Sequence, residues 1–231
     1  LSESQVNCIY KDSEGFLWIG TTLGLNRYDG FRFNTFFTKS DASMSLPNNN
    51  VSEIKEDASK HLWIKTSLGY CIFDPLTETF NNNIKQWQQA HGIKGIPGLV
   101  DTDRRHNLWF TIDHVGCYYY DFSLGKSFFI PQGAGNQKLP KGVITHIAYT
   151  DGNPVFVYND GTLAKVDVAS KKVAWINRYI PQHGGDKFKG YGVFIDRNHN
   201  YWVYTGEKAM AYMSKTKKWQ TFDKMVKDIV Q

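Results

Sequence analysis

The chain has 231 residues, of which 41% are hydrophobic and 15% aromatic, and its formal net charge is +5. This length fits one large domain, and no apolar run approaches the roughly 18 residues of a membrane-spanning helix, so we expect no membrane insertion by this region. The basic residues are scattered, and the cluster Lys215, Lys217 and Lys218 fits a solvated hairpin tip, so we expect no nucleic-acid contact by this region.

The first 36 residues predict four short strands joined by turns. The turn sequences are Asp12-Ser13-Glu14-Gly15 and Asp29-Gly30, because aspartate bonds the backbone two residues on and glycine accepts a positive φ. The second strand is apolar on both alternating faces, which predicts burial on both sides. The predicted strands are Val6–Lys11, Phe16–Thr21, Leu25–Tyr28 and Phe31–Phe36.

The same pattern recurs along the chain. The aromatic residue of the second strand returns at intervals of 45, 46, 47 and 46 residues, at Trp18, Trp63, Trp109, Phe156 and Trp202. Four antiparallel strands in about 45 residues are typical of a β-propeller blade. We therefore predict an all-β chain of about five such repeats, forming part of a larger propeller. The predicted repeats are 1–50, 51–96, 97–142, 143–189 and 190–225, with the start of a further repeat at 226–231.

The repeated residues are interpreted as structural. The tryptophans are expected to wedge between blades, and a turn aspartate precedes each of them by six residues, at Asp12, Asp57, Asp103 and Asp196. Carboxylates on successive blades lie too far apart around a ring to form a catalytic pair. The turn glycine of the first repeat, Gly15, is replaced by Lys60, His106 and His199. We expect the turn to loosen there, because lysine and histidine adopt a positive φ at some cost.

The three cysteines, Cys8, Cys71 and Cys117, lie on predicted strands of different repeats. None has the spacing to a second cysteine or a histidine that is typical of a metal site, so we predict buried free thiols, no metal and no cofactor.

The last residues repeat the opening of the earlier repeats, since Val226 and Ile229 match the spacing of Val6 and Ile9. We therefore expect a fragment whose ring is open or incomplete, or closed only by contacts with another chain, because unpaired blade edges invite strand pairing.

The connections between repeats are long, at 37–50, 81–97, 131–142 and 177–189. In a propeller they lie, with short loops such as 112–116, on one face around the central channel, where long loops on a rigid scaffold usually carry binding. Their aromatic and cationic side chains suit sugar rings and acidic groups, although each is also compatible with an ordinary surface loop. The candidate ligand-binding residues are Lys85, Trp87, His91, His114, Arg178, Tyr179, His183 and Lys187.

The segment Val6–Asp29 resembles the two-component regulator propeller repeat, whose pattern is roughly V-x-x-I-x-x-D-x-x-G-x-L-W-I-G-T-x-x-G-L-x-x-Y-D. Residues Asp57–Asp74 match well, the repeats at Trp109 and Trp202 match in part, and the repeat at Phe156 has lost the tryptophan. The resemblance implies the periplasmic sensor region of a hybrid two-component histidine kinase, with propellers of about seven blades. It also implies response to an oligosaccharide and control of glycan-utilisation genes. We expect the full-length protein to be a homodimer.

Three functions remain open at this point. A non-catalytic ligand sensor is favoured. A protein-interaction scaffold is the first alternative. A glycan-cleaving enzyme is the second, and it would need two carboxylates about 5–10 Å apart. The predicted channel-facing loops are poor in acids, with Asp186 and Glu207 the best candidates, and the chain has D-x-x-G where a sialidase-type box needs D-x-G. No catalytic residue is therefore predicted.

Overall fold

A computed structural model describes residues 1–40, 45–135, 137–178, 192–204 and 209–222. Over these residues the chain forms twenty strands and one short helix, which confirms the predicted all-β class. The first two sheets contain β1 (Val6–Lys11), β2 (Leu17–Thr21), β3 (Gly24–Tyr28) and β4 (Phe33–Phe36), then β5 (Val51–Glu56), β6 (Leu62–Thr66), β7 (Gly69–Asp74) and β8 (Thr79–Asn81). After helix α1 (Ile84–Ala90), the third sheet contains β9 (Leu99–Thr102), β10 (Leu108–Ile112), β11 (Gly116–Asp121) and β12 (Lys126–Pro131). The last two contain β13 (Ile144–Thr150), β14 (Asn153–Tyr158), β15 (Leu163–Asp167) and β16 (Lys172–Asn177), then β17 (Gly192–Ile195), β18 (Tyr201–Tyr204), β19 (Ala209–Met213) and β20 (Lys218–Thr221).

Each of the five sheets has four strands that are hydrogen-bonded in chain order. Neighbouring strands run antiparallel, as in the pairs β1–β2, β6–β7 and β15–β16. A meander of this kind needs only short turns between its strands. The sheets are the blades predicted from the repeat.

The repeated aromatics lie on the second strand of successive sheets, as predicted: β2, β6, β10, β14 and β18. Trp18, Trp63, Trp109 and Phe156 are at most 1% exposed. Trp202 is only half-buried, and its ring packs on Phe222 at 5.0 Å between centroids.

The turn aspartates also bind the tryptophan six residues later. The Trp18, Trp63 and Trp202 indole N–H groups donate to Oδ2 of Asp12, Asp57 and Asp196 at 2.7, 2.9 and 2.9 Å. The other carboxylate oxygen accepts backbone N–H groups two and four residues on. We call this arrangement the Asp–Trp clamp.

The pKa of the clamp carboxyl differs between sheets according to its surroundings. Desolvation raises the pKa of Asp57, which is enclosed, above its ordinary value despite the hydrogen bond from Trp63. In the last sheet the indole N–H of Trp202, followed by the backbone N–H of Asn200, lowers the pKa of Asp196 to about 2.

The third sheet lacks the indole hydrogen bond of the Asp–Trp clamp. Trp109 Nε1 is buried and has no hydrogen-bond partner among the described residues.

The turns that lack glycine do not loosen, so that prediction is wrong. Lys60, His106 and His199 adopt φ of 67°, 60° and 58°, and each keeps the backbone hydrogen bond to its turn aspartate at 2.9 Å. Their side chains explain why the strained conformation is kept, because each reaches the preceding sheet or its first turn. Lys60 Nζ pairs with Glu14 Oε1, His106 Nδ1 lies 2.9 Å from the Glu56 carbonyl oxygen, and His199 Nδ1 lies 3.1 Å from Thr150 Oγ1.

A comparison of Lys60→Ala with Lys60→Gly separates the two effects at this turn. Both variants lose the exposed ion pair with Glu14, so that loss cancels in the comparison. Only glycine also relieves the left-handed conformation, so Lys60→Gly should be more stable than Lys60→Ala by about 1 kcal/mol. Urea unfolding of both variants measures the difference. An alanine variant as stable as the glycine variant would show that the turn stores no strain at this residue.

The chain divides into two compact units. The first comprises Leu1–Ile96, Val100–Leu108 and Tyr120–Ser127, and the second comprises Pro97–Leu99, Trp109–Tyr119 and Phe128–Gln231. The first unit has a core around Trp18, Val51, Ile54 and Phe73. The second has one core around Trp109, Cys117, Phe156 and Tyr158, and another around Val155, Val157 and Val203.

The thiols largely follow the prediction. Cys71 and Cys117 are buried and free, whereas Cys8 is half-buried. Burial raises the pKa of Cys8 to about 11 and that of Cys71 to about 12, and it also raises the pKa of Cys117. All three therefore stay protonated near neutral pH.

One element was not predicted. The connection at 81–97 contains α1, a seven-residue helix whose N-cap, Asn83, accepts the Gln86 backbone N–H at 3.0 Å. Ile84 and Gln88, one turn apart, are its buried residues. The helix is held by this cap and by these two residues packing inward.

Candidate ligand-binding site

The candidate residues of the second connection lie on or beside α1, in the first unit. Lys85 is exposed on the helix. The His91 ring stacks on the Trp87 ring with centroids 3.9 Å apart, and the Trp63 and Tyr120 rings lie nearly perpendicular to Trp87 with centroids 4.9 and 5.5 Å away. One face of the Trp87 ring is thus covered by His91, and the pair forms part of an aromatic cluster.

The remaining described candidates, His114 and Arg178, belong to the second unit. His114 is exposed in the turn between β10 and β11, with φ of 61°. Arg178 is exposed directly after β16. Tyr179, His183 and Lys187, and the acidic residues Asp186 and Glu207, lie outside the described residues.

Arg178 opens onto a cavity of about 820 Å³, which we call the groove. Three segments of the second unit form it: the connection between β12 and β13, the end of β16, and the hairpin of β19 and β20. Its described lining residues are Gly133, Ala134, Gly135, Lys138, Pro140, Ile176, Asn177, Arg178, Tyr212, Lys217 and Trp219. A smaller cavity of about 370 Å³ shares Tyr212 and Trp219 with it and continues to Trp175 and Tyr201.

The connection that forms one wall is held by its own hydrogen bonds. The Gly133 N–H donates to the Leu139 carbonyl at 2.9 Å, and the Leu139 N–H donates to the Pro131 carbonyl at 3.0 Å. The Gln132 side chain closes the base of the loop, since it donates to the Gly142 carbonyl at 3.0 Å and accepts the Gly142 N–H at 3.1 Å. Lys138 therefore directly precedes a residue, Leu139, whose backbone is hydrogen-bonded to Pro131 and Gly133.

Aromatic side chains form the opposite wall because of strand register. Tyr201 lies opposite Tyr212 between β18 and β19, and Tyr212 lies opposite Trp219 between β19 and β20. Side chains paired in this way share one face of the sheet. Their rings are in contact, with centroids 6.1 Å apart for Tyr201 and Tyr212 and 5.6 Å apart for Tyr212 and Trp219. Tyr212 and Trp219 are half-buried, so part of each ring remains accessible.

The groove carries three cations and no carboxylate among its described lining residues. Lys138, Arg178 and Lys217 are all exposed. A ring surface beside cationic donors can bind a sugar, with the aromatics supplying contact area and the cations supplying directed hydrogen bonds.

Sequence reasoning identified only Arg178 among these residues and interpreted Lys217 as part of a solvated tip. A usable signal was present, because seven tryptophans occur in the chain and only four belong to the repeat. Of the other three, Trp219 lines the groove and Trp175 lines the adjoining cavity. Tryptophans outside a structural repeat are candidates for binding.

No helix within the described ranges has the length and apolar content needed to cross a bilayer.

The comparison with protein families matches one short region. The family described as the two component regulator propeller (Reg_prop) matches residues 1–22, which confirms the predicted resemblance at the first repeat. A search among curated proteins finds no match.

Solved structures match nearly the whole chain. The extracellular domain of a putative hybrid two-component system from B. thetaiotaomicron aligns with a TM-score of 0.67 and 23% identity, over 95% of this chain and 30% of that one. Virginiamycin B lyase from Staphylococcus aureus aligns with a TM-score of 0.59 and 13% identity, over 94% and 69%. An auxiliary nutrient binding protein from Bacteroides thetaiotaomicron aligns with a TM-score of 0.57 and 10% identity, over 96% and 57%. At these identities the likeness shows the β-propeller fold. This chain spans about a third of the length of the first of these structures.

Proposed function

We propose that this chain is part of the extracytoplasmic sensor region of a hybrid two-component protein. The premise is that residues 1–22 match a two component regulator propeller repeat. In this proposal the region binds an oligosaccharide in the periplasm, and the signal controls glycan-utilisation genes. The chain itself is non-catalytic, and the full-length protein acts as a homodimer. The family match and the shared fold with a two-component extracellular domain support the proposal.

The groove is the single observation that carries the ligand-binding part. Its volume of about 820 Å³ lies within the range of small-molecule sites, roughly 300–1,000 Å³. Tyr212 and Trp219 offer accessible ring surface on a strand scaffold, and Arg178 adds a planar donor at the rim. A sugar ring has an apolar face and a polar edge, and this combination of side chains complements both.

Signalling requires that the ligand prefer one conformation over another, since a ligand shifts an equilibrium only by its differential affinity. The groove draws on three segments that are far apart in sequence, at 133–140, 176–178 and 212–219. A ligand that contacts all three stabilises the arrangement in which they converge. In the full-length protein, that arrangement would set the orientation of neighbouring propellers or subunits.

A glycan-cleaving function is less well supported. Hydrolysis of a glycosidic bond generally uses a pair of carboxylates, and the described lining of the groove contains neither Asp nor Glu. A protein-interaction scaffold remains the alternative, and it becomes the preferred function if no glycan binds.

We expect Trp219→Ala to weaken oligosaccharide binding about tenfold, or about 1.4 kcal/mol, because the largest ring of the groove is removed. Isothermal titration calorimetry of the full extracytoplasmic region against a panel of glycan fragments measures the effect. Trp87→Ala is the matched control, since Trp87 is a half-buried tryptophan of the first unit beside α1. Loss of binding in Trp87→Ala, with normal binding in Trp219→Ala, would move the site to α1.

A further inference from the structure

We infer that the groove selects oligosaccharides that carry negative charge, as carboxylate or sulfate groups, over neutral ones. This inference rests on the proposed sensing function and adds the class of ligand. Three convergent cations carry it: Lys138 from the connection between β12 and β13, Arg178 from the end of β16, and Lys217 from the turn between β19 and β20.

These three cations line one cavity, whereas the ion pairs within the described residues lie elsewhere. Arg27 pairs with Glu78 at 2.6 Å, Lys55 with Asp101 at 2.7 Å, and Lys65 with Glu53 at 3.1 Å. No carboxylate within the described residues lies within ion-pairing distance of the side chains of Lys138, Arg178 or Lys217.

Their convergence has an electrostatic consequence. Three like charges around one cavity repel each other, and the repulsion is greatest where water is partly excluded. A bound anion is attracted to all three charges, and that attraction offsets their mutual repulsion. A neutral ligand leaves the repulsion in place, so the groove as built favours an anion.

The Lys138 side chain is placed by its surroundings. The Lys138 side chain lies along the backbone of Gly133, where an added Cβ would come within 3.0 Å of Lys138 Cδ and 3.7 Å of Nζ. Glycine at residue 133 therefore leaves room for the lysine to fold toward the cavity. Arg178 supplies a planar fork that matches the geometry of a carboxylate or a sulfate.

The aromatic wall lets the groove discriminate between a charged sugar and an inorganic anion. Inorganic phosphate or sulfate can use the cations but gains nothing from the rings of Tyr212 and Trp219. A uronate or a sulfated sugar uses both, because its ring packs on the aromatics while its acidic group reaches the cations. We therefore expect affinity only when charge and ring are present in one molecule.

The test uses calorimetry of the full extracytoplasmic region with five probes: an oligogalacturonate, the same oligomer with its carboxylates methyl-esterified, a sulfated oligosaccharide, a neutral oligosaccharide and inorganic sulfate. We expect at least one acidic oligosaccharide to bind more than tenfold tighter than the neutral probes, and its affinity to fall as salt screens the cations. Preference for the carboxylated or the sulfated probe identifies the acidic group.

Charge-removing variants link the selectivity to the groove. Lys138→Gln, Arg178→Gln and Lys217→Gln should each weaken binding of the acidic probe about three- to tenfold and weaken any binding of neutral sugar much less, because glutamine keeps a hydrogen-bond donor but not the charge. Lys126→Gln is the matched control and should bind as wild type, because Lys126 is an exposed lysine of β12 outside the groove lining. Thermal unfolding of each variant verifies that it is folded.

The outcomes distinguish this inference from the function on which it rests. Equal affinity for the oligogalacturonate and its methyl ester, or inorganic sulfate binding as tightly as the acidic sugar, would overturn the inference and leave a glycan sensor possible. Full affinity in all three glutamine variants would overturn it as well. Failure of every glycan to bind would remove the sensing function and the inference together.

Discussion

Trp63→Ala is expected to lower the free energy of unfolding by about 3–5 kcal/mol, as other large-to-alanine core substitutions do. The Trp63 side chain is 0% exposed and packs edge-on against Trp87 at 4.9 Å. Alanine would leave a large cavity and would also remove the N–H donor to Asp57 Oδ2, which is buried. Chemical denaturation monitored by circular dichroism gives the change.

Trp63→Phe separates the two parts of this loss. Phenylalanine keeps most of the ring and removes the donor, so its cost should be about 1–3 kcal/mol, the penalty for an unsatisfied buried acceptor. Leu76→Ala is the surface control, since Leu76 is 92% exposed and should change stability by less than about 0.5 kcal/mol. A cost below 1 kcal/mol for Trp63→Ala would contradict the role of Trp63 as a wedge.

Gly116→Ala should destabilise the protein by about 1–3 kcal/mol more than Gly69→Ala does. Both glycines open the third strand of their sheet, and both have positive φ, 156° and 105°. An alanine Cβ at residue 116 would lie 2.4 Å from the Ile130 carbonyl oxygen and 2.8 Å from the Phe129 ring. At residue 69 nothing lies within 4 Å.

Comparing Gly116→Ala with Gly69→Ala separates the cost of steric overlap from the cost of backbone strain, because both variants place alanine where glycine is favoured. Thermal and denaturant unfolding of both proteins provides the comparison. Equal losses would mean that β11 and β12 separate easily and that only the backbone conformation matters.

The sequence could predict the blades because the information for each blade is local. The turn aspartate and its tryptophan lie six residues apart, and the four strands follow in order within one repeat. Hydrophobic alternation and turn residues over about 36 residues are enough to place these elements.

The strained turns could not be predicted in the same way. A preference for glycine is a local rule, and it indicated looser turns at Lys60 and His106. The compensating contacts come from Glu14 and the Glu56 carbonyl, 46 and 50 residues earlier in the chain. Only the stacking of one sheet on the next brings these groups together.

The groove was only partly predictable for a related reason. Arg178 belongs to a long connection and was selected by that rule, whereas Trp219 lies on the outer strand β20. Trp219 reaches the groove through its cross-strand pairing with Tyr212. Helix α1 was missed because its cap and its two buried positions span only a few residues, inside a segment assigned to a loop.

The Asp–Trp clamp has a consequence for how such a chain can lengthen. Because the clamp joins two residues of the same repeat, a duplicated gene segment of about 45 codons carries everything needed to close its own turn. The new blade then has to adjust only to its neighbours, and the last residue of the turn, Lys60 or His106, is one such adjustment. Growth by whole units therefore needs few accompanying mutations, and the connections between units are left free to diverge toward new ligands.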